Sequence, residues 1–239
     1  MTEKPYSDIR DRALDLMDRV REAALRAGRD PARVQVMAVT KTMGPDQVNA
    51  AIEAGVRLLG ENRAQELTVR HSSYRLEGSR IHFIGHLQRN KLSGVLPLVQ
   101  MVESLDSLRL AAAIGEAMTA RGGVMDCLLE VNIGRERSKA GFSPEEVWEA
   151  LPALSAVKGI RVRGLMVIPP PGEISRTEGY FAAARQLFID IGAKKLDNVH
   201  MDFLSMGMSA DFESAIRQGS HIVRLGRALF GERTGAAKG

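Results

Sequence analysis

The feature that most constrains this chain is an alternation: short apolar runs separated by longer stretches with helical periodicity. Eight runs read as strands, at residues 34–40, 56–59, 81–85, 101–103, 125–132, 160–167, 201–205 and 221–225. Between them lie helical stretches at 45–54, 63–69, 105–120, 144–154, 177–191 and 210–218, with a shorter one at 88–98 that carries Pro97 near its end. Parallel strands need crossover connections, and helices supply them. Eight such units in 239 residues with no domain linker predict one closed (β/α)8 barrel of the TIM type, a single domain over residues 1–239. An open doubly wound sheet competes with it, and would be favoured if the short second or fourth strand were absent. A further helix precedes the first strand, over residues 7–27. Ile9, Ala13, Leu16, Met17, Val20 and Ala24 form its apolar stripe, and Gly28 is placed to end it.

Composition removes several function classes. The net charge of +4 is spread without a Lys/Arg block, which argues against nucleic-acid binding. No apolar run is long enough to span a bilayer, and the polar segment from Met1 to Arg12 has no signal core, so the expected location is cytoplasmic. The single cysteine, Cys127, cannot form an internal disulfide and reads as a small buried hydrophobe. The five histidines lack metal-ligand spacing and there is no cysteine pair, so no metal is expected. The polar tail after Gly231 reads as frayed, and Pro169-Pro170-Pro171-Gly172 reads as a stiff loop after strand six.

Chemistry concentrates at the carboxyl ends of the strands. Lys41 ends the first apolar run, where a charged amine is costly unless paired, neutralised or chemically used. Barrel closure sets strand one against strand eight and so brings Lys41 beside Arg224 and Gly226. The loops 204–211 and 224–231 follow strands seven and eight, where barrel enzymes often bind phosphate. Singly, Gly207 and Gly226 read as turn glycines and Ser209 as a helix cap. Jointly they read as a phosphate clamp beside an amine. That pairing points to a Schiff base with a phosphorylated aldehyde, either a sugar-phosphate substrate or pyridoxal 5′-phosphate as cofactor. Glu61 could pair with Lys41, and Asn62 could cap a helix or offer its amide to a ligand. His86, a lone loop histidine, carries little weight as an acid/base group.

The ordered segments Val39-Thr40-Lys41, Gly60-Glu61-Asn62, Ile81 to Gln88, Glu130-Val131-Asn132, Ser138-Lys139-Ala140-Gly141, Gly164-Leu165-Met166, Leu204 to Ser209, Val223 to Gly226 and Phe230-Gly231 closely resemble the pyridoxal phosphate homeostasis protein family. The likeness spans about Tyr6 to Gly231. It implies a barrel like the N-terminal domain of alanine racemase, holding pyridoxal 5′-phosphate as a Schiff base on Lys41. It further places Ser205, Met206, Ser209, Gly226 and Arg227 in phosphate-cradling segments, Asn62 beside the ring and Arg224 at the pyridine nitrogen. Lys139 matches a second family lysine. Many relatives carry Ser or Thr where this chain has Arg227, which puts a side-chain hydroxyl contact there in doubt.

Arginine stays protonated, so Arg224 can only donate to the pyridine nitrogen, which must then be unprotonated and a poorer electron sink. The expectation is therefore a cofactor-binding protein and not an enzyme, acting in intracellular pyridoxal phosphate homeostasis and holding the cofactor or delivering it to apo-enzymes. Only eight residues follow Gly231, so the second domain that supplies a catalytic tyrosine in alanine racemases is not expected, and a monomer is favoured. The alternatives are a pyridoxal-phosphate-dependent amino-acid racemase, a Schiff-base aldolase, or a non-covalent anion-binding scaffold.

Overall fold

Strand pairing in the computed structural model, which describes residues 6–136, 138–170 and 172–231, runs in sequence order and closes on itself as β1-β2-β3-β4-β5-β6-β7-β8. The chain order is α1 (Ser7–Arg26), β1 (Gln35–Val39), α2 (Pro45–Glu53), β2 (Leu58–Glu61), α3 (Ala64–Arg70), β3 (Arg80–Phe83), α4 (Leu92–Val95), β4 (Met101–Leu105) and α5 (Leu108–Thr119). It continues with β5 (Met125–Val131), α6 (Pro144–Ala156), β6 (Ile160–Val167), α7 (Ile174–Ala193), β7 (Val199–Ser205), α8 (Phe212–Arg217), β8 (Ile222–Leu225) and α9 (Arg227–Phe230). Every neighbouring pair of strands is parallel, and β1 pairs with β8 in the register Met37 to Arg224 and Ala38 to Leu225.

Strand alternation divides the buried side chains into two layers. Ala38, Leu59, Ile81, Phe83, Val102, Cys127, Leu129, Val162, Leu165 and Val223 point outward into a core shared with the helices. Met37, Leu58, Ile84 and Ile222, with Met101, Leu128 and Met166, fill the barrel interior around Phe203. Burial of this kind stabilises by roughly 25 cal/mol per Å² of apolar surface, so both layers contribute.

Local sequence fixes the element ends. Gly28 stands at φ 66°, where the αL region ends α1 without a Cβ penalty. Arg12 on α1 donates from Nε to the Leu229 carbonyl at 2.8 Å, and Arg29 donates from Nη1 to the Ile216 and Ser220 carbonyls at 2.8 and 2.6 Å. These bonds seat the extra N-terminal helix against α8 and α9. α6 begins on a capping box: the Ser143 hydroxyl accepts from the Glu146 N–H, and Glu146 Oε2 accepts from the Ser143 N–H.

Several boundaries differ from the sequence reading, among them α7, which starts at Ile174, and β7, which starts at Val199. Val56 lies in the turn that follows α2, its N–H bonding the Ala51 carbonyl at 3.1 Å, and β2 starts at Leu58 and runs through Glu61. Leu105 stays in β4, and α5 starts after Ser107, whose hydroxyl accepts from the Leu110 N–H. The stretch 88–98 is not one helix: two 3-10 turns flank the four-residue α4, with Pro97 inside the second. The tail at 232–239 and Pro171 of the proline-rich loop lie outside the described residues.

Candidate functional site

A cavity of about 630 Å³ opens at the carboxyl ends of β1, β2 and β8. Lys41, Asn62, Ser209, Arg224, Gly226 and Arg227 all line it, along with Val39, Ile84, Ile168, Asp211 and Phe230. Six of the eight residues singled out from sequence thus share one space. Ser205 and Met206 are not in its lining. Both are fully buried, and the Met206 N–H is spent on the Ile222 carbonyl at 3.1 Å.

Lys41 follows β1 by two residues and is half-buried. Its position depends on a strained turn: Thr42 has φ 68°, an uncommon value for a β-branched residue. The Thr42 N–H donates to Glu66 Oε2 at 3.1 Å, and its hydroxyl donates to the Lys41 carbonyl. Glu66 is held in turn by Arg63 at 2.7 Å and by Arg70 at 3.0 Å, while Arg70 also donates to the Met43 carbonyl. Burial pushes the Glu66 carboxyl up, but the Thr42 N–H and the two guanidinium groups outweigh it and leave the carboxyl below its ordinary value.

Asn62 does not cap α3, whose N-cap is Arg63 with no side-chain bond. Among the described residues its Oδ1 is buried with no hydrogen-bond partner. A buried amide oxygen that lacks a partner in a cavity wall is suited to accept from a ligand hydroxyl. Glu61 faces the other way. Its Oε1 accepts from Thr40 at 2.6 Å and from Tyr74 at 2.8 Å, inside the layer between barrel and helices. His86 is exposed and sits 3.2 Å from Asp106.

The loops after β7 and β8 meet edge to edge. Arg224 N–H donates to the Gly207 carbonyl at 2.9 Å, and Ala228 N–H donates to the Ser209 hydroxyl at 3.1 Å. Ser209 does not cap α8, which begins after Asp211. With its oxygen accepting from Ala228, the Ser209 hydroxyl proton is available for an anion in the cavity. The exposed Arg227 guanidinium lies on the same rim.

Below the rim the barrel interior carries a polar chain that joins Ser205 and Arg224 to His82 and Glu103, neither of which the sequence reading singled out. His82 Nδ1 lies 2.6 Å from Glu103 Oε1, the Ser205 hydroxyl donates to Glu103 Oε2 at 2.6 Å, and Arg224 Nη1 donates to the Ser205 oxygen at 2.8 Å. Arg224 Nη2 donates to the Val167 carbonyl at 2.9 Å. Burial pulls the Arg224 guanidinium below its ordinary value, opposed by Glu103, Asp211 and Glu130. Glu130, largely buried, is raised by burial and by Asp106, against the pull of Arg224 and His86. The detectable sequence signal was parity: His82 and Glu103 occupy inward positions of strands whose outward positions are apolar.

The alanine racemase N-terminal domain family matches residues 16–234. The chain is 39% identical over 228 residues to the pyridoxal phosphate homeostasis protein of Pseudomonas aeruginosa, covering 95% of this chain and 96% of that one. A solved structure of a protein from Bifidobacterium adolescentis superposes with a TM-score of 0.88 at 34% identity, over 96% of this chain and 97% of that chain. PipY of Synechococcus elongatus, solved with PLP bound, superposes with a TM-score of 0.77 at 32% identity, over 88% of this chain and 98% of that chain.

Proposed function

The chain belongs to the pyridoxal phosphate homeostasis protein family, whose fold is the alanine racemase N-terminal barrel, and from that premise we propose that it binds pyridoxal 5′-phosphate on Lys41 and acts in intracellular pyridoxal phosphate homeostasis. The observation that carries this reading is the convergence of Lys41, Asn62, Ser209, Arg224, Gly226 and Arg227 on one cavity. The orphaned Asn62 amide fits the cofactor's phenolic group, and the buried Arg224 donor fits its ring nitrogen. Ser209, Gly226 and Arg227 take the phosphate, with Met206 supporting that loop from within the barrel wall.

When bound, pyridoxal 5′-phosphate would supply an aldehyde, and the Lys41 amine is the group that would hold it. The chain's own residues hold and orient it. Arg224 is a permanent donor, fixed on both terminal nitrogens, so it keeps a proton off the ring nitrogen. All three tyrosines are described and none lines the cavity: Tyr6 precedes α1, Tyr74 is bonded to Glu61, and Tyr180 lies under Arg176. These features support a carrier that holds the cofactor or hands it to apo-enzymes, and not a racemase or aldolase. The same reading has the protein act as a single-domain cytoplasmic monomer. Among the described residues no helix is long and apolar enough to cross a membrane.

Reconstitution with pyridoxal 5′-phosphate, borohydride reduction and peptide mass mapping test the proposal. The expected adduct sits on Lys41 and is absent from Lys41→Ala. An adduct retained by Lys41→Ala overturns the assignment, and Lys41-dependent turnover of D/L amino acids or aldehyde phosphates overturns the carrier role.

A further inference from the structure

Of the polar chain inside the barrel, Arg224 is the member that lines the cavity among the described residues. Glu103 has both oxygens engaged, Oε1 by His82 and Oε2 by Ser205, and Ser205 in turn accepts from Arg224. His82, Glu103, Ser205 and Arg224 are all buried, with exposures of 3%, 0%, 0% and 5%. Four polar side chains from β3, β4, β7 and β8 thus meet across an interior otherwise filled by Met37, Leu58, Met101, Leu128, Met166 and Ile222.

Burying an arginine in such surroundings is costly unless a counter-charge and full hydrogen bonding compensate. Glu103 is the acid that answers Arg224 across one hydroxyl. Ser205 can donate only one proton, and Glu103 takes it, so the Ser205 oxygen lone pairs are directed at Arg224. His82 closes the other carboxylate oxygen and removes its freedom to swing. The result fixes the guanidinium in the plane set by the Ser205 oxygen and the Val167 carbonyl.

We propose that His82 and Glu103 are positioning residues which, through Ser205, set the orientation and donor strength of Arg224 toward the ring nitrogen of the bound cofactor. This rests on the cofactor reading above. It assigns Ser205 to the support of Arg224 and not to the phosphate.

The test compares wild type with E103Q, H82Q and S205A, each reconstituted with pyridoxal 5′-phosphate. Three quantities are read: the absorbance maximum of the bound cofactor, its Kd, and the urea midpoint of the cofactor-depleted protein. E103Q and S205A are expected to displace the absorbance maximum and to raise Kd about tenfold, the scale of one hydrogen bond to a charged group. H82Q follows in the same direction with a smaller effect. Wild-type absorbance and Kd in both E103Q and S205A overturn the proposal. So does an S205A that raises Kd with an unmoved absorbance maximum and weaker competition by inorganic phosphate, since that is the signature of a direct phosphate contact. Should E103Q not fold, S205A, which removes one oxygen, decides alone. A wild type that takes up no cofactor overturns the functional reading and this one with it, whereas a wild type that loads on Lys41 while both variants match it overturns this one only.

Discussion

The Thr42 backbone N–H donates to the Glu66 carboxylate at 3.1 Å, a bond that holds the residue after Lys41 in the left-handed region, at φ 68°. A β-branched residue there stores strain of order 1–3 kcal/mol, sustained only because its surroundings over-determine it. Glu66→Ala removes the acceptor and leaves Arg63 and Arg70 without their shared carboxylate. The expected outcome is a stability loss of about 1–2 kcal/mol in urea unfolding and a cofactor Kd raised several-fold. The Glu66 carboxyl lies below its ordinary value, so it binds fewer protons folded than unfolded. Its stabilisation is present above the unfolded value and is lost as pH falls through the folded one. Urea midpoints measured across the acid range should therefore fall in wild type as Glu66 takes up its proton, and Glu66→Ala should flatten that fall.

Arg227 stands on the rim as an exposed cation in the cavity that Ser209 also lines. Arg227→Ala should raise the cofactor Kd about three- to tenfold and weaken competition by inorganic phosphate. Because the group is exposed, the wild-type advantage should shrink as salt is raised from low to physiological strength and beyond. Equal salt dependence of wild type and variant in ultrafiltration titrations would count against a phosphate contact at this residue.

Most of the fold could be read from sequence because strand and helix periodicities differ and the barrel leaves few connections to choose among. Closure was expected to set Lys41 beside Arg224 and Gly226; the β1–β8 register pairs Arg224 with Met37, four residues before Lys41, and the three residues meet as lining of one cavity. What escaped was depth. Ser205 sits opposite Ile222, one layer below the rim, and Met206 points to the outer core, so neither lines the cavity although Met208 and Ser209, a few residues on, do. Motif adjacency carries no information about that depth, whereas strand parity does. The strained Thr42 turn escaped for another reason: threonine's propensities oppose that conformation, and a tertiary bond from Glu66 on α3 together with its own hydroxyl bond to the Lys41 carbonyl hold it.

Gly207 links the two rim loops, with φ 92° and its carbonyl accepting from the Arg224 N–H. A Cβ at this position would lie 2.5 Å from the Ala215 Cβ and 3.1 Å from the Phe212 Cα. Gly207→Ala therefore combines an unfavourable backbone region with overpacking against α8, for a cost of about 2–4 kcal/mol. The measurable consequence is a lower urea midpoint with an unchanged slope, together with loss of cofactor retention from displaced Ser209 and Arg224. A variant with wild-type stability would show that the loop after β7 can shift away from α8.

Glu61 presents the opposite titration to Glu66. Its Oε1 accepts from Thr40 and Tyr74, while among the described residues its buried Oε2 has no partner. Burial raises its carboxyl above the ordinary value, against the two hydrogen bonds, and Glu66 adds to the rise. Burial likewise raises the Tyr74 phenol, with Glu61 adding to it, so the phenol stays protonated and a donor. A carboxyl raised in the folded state binds more protons there than in the unfolded chain. Its contribution is fully present below the unfolded value and is lost as pH rises through the folded one. Wild-type stability should accordingly decline between the ordinary carboxylate range and the folded value, and Glu61→Gln, which keeps an acceptor for Thr40 and Tyr74, should flatten that decline. Urea midpoints measured from acid to mildly alkaline pH check this directly. Parallel curves for wild type and Glu61→Gln would mean that Glu61 does not hold its proton in the fold.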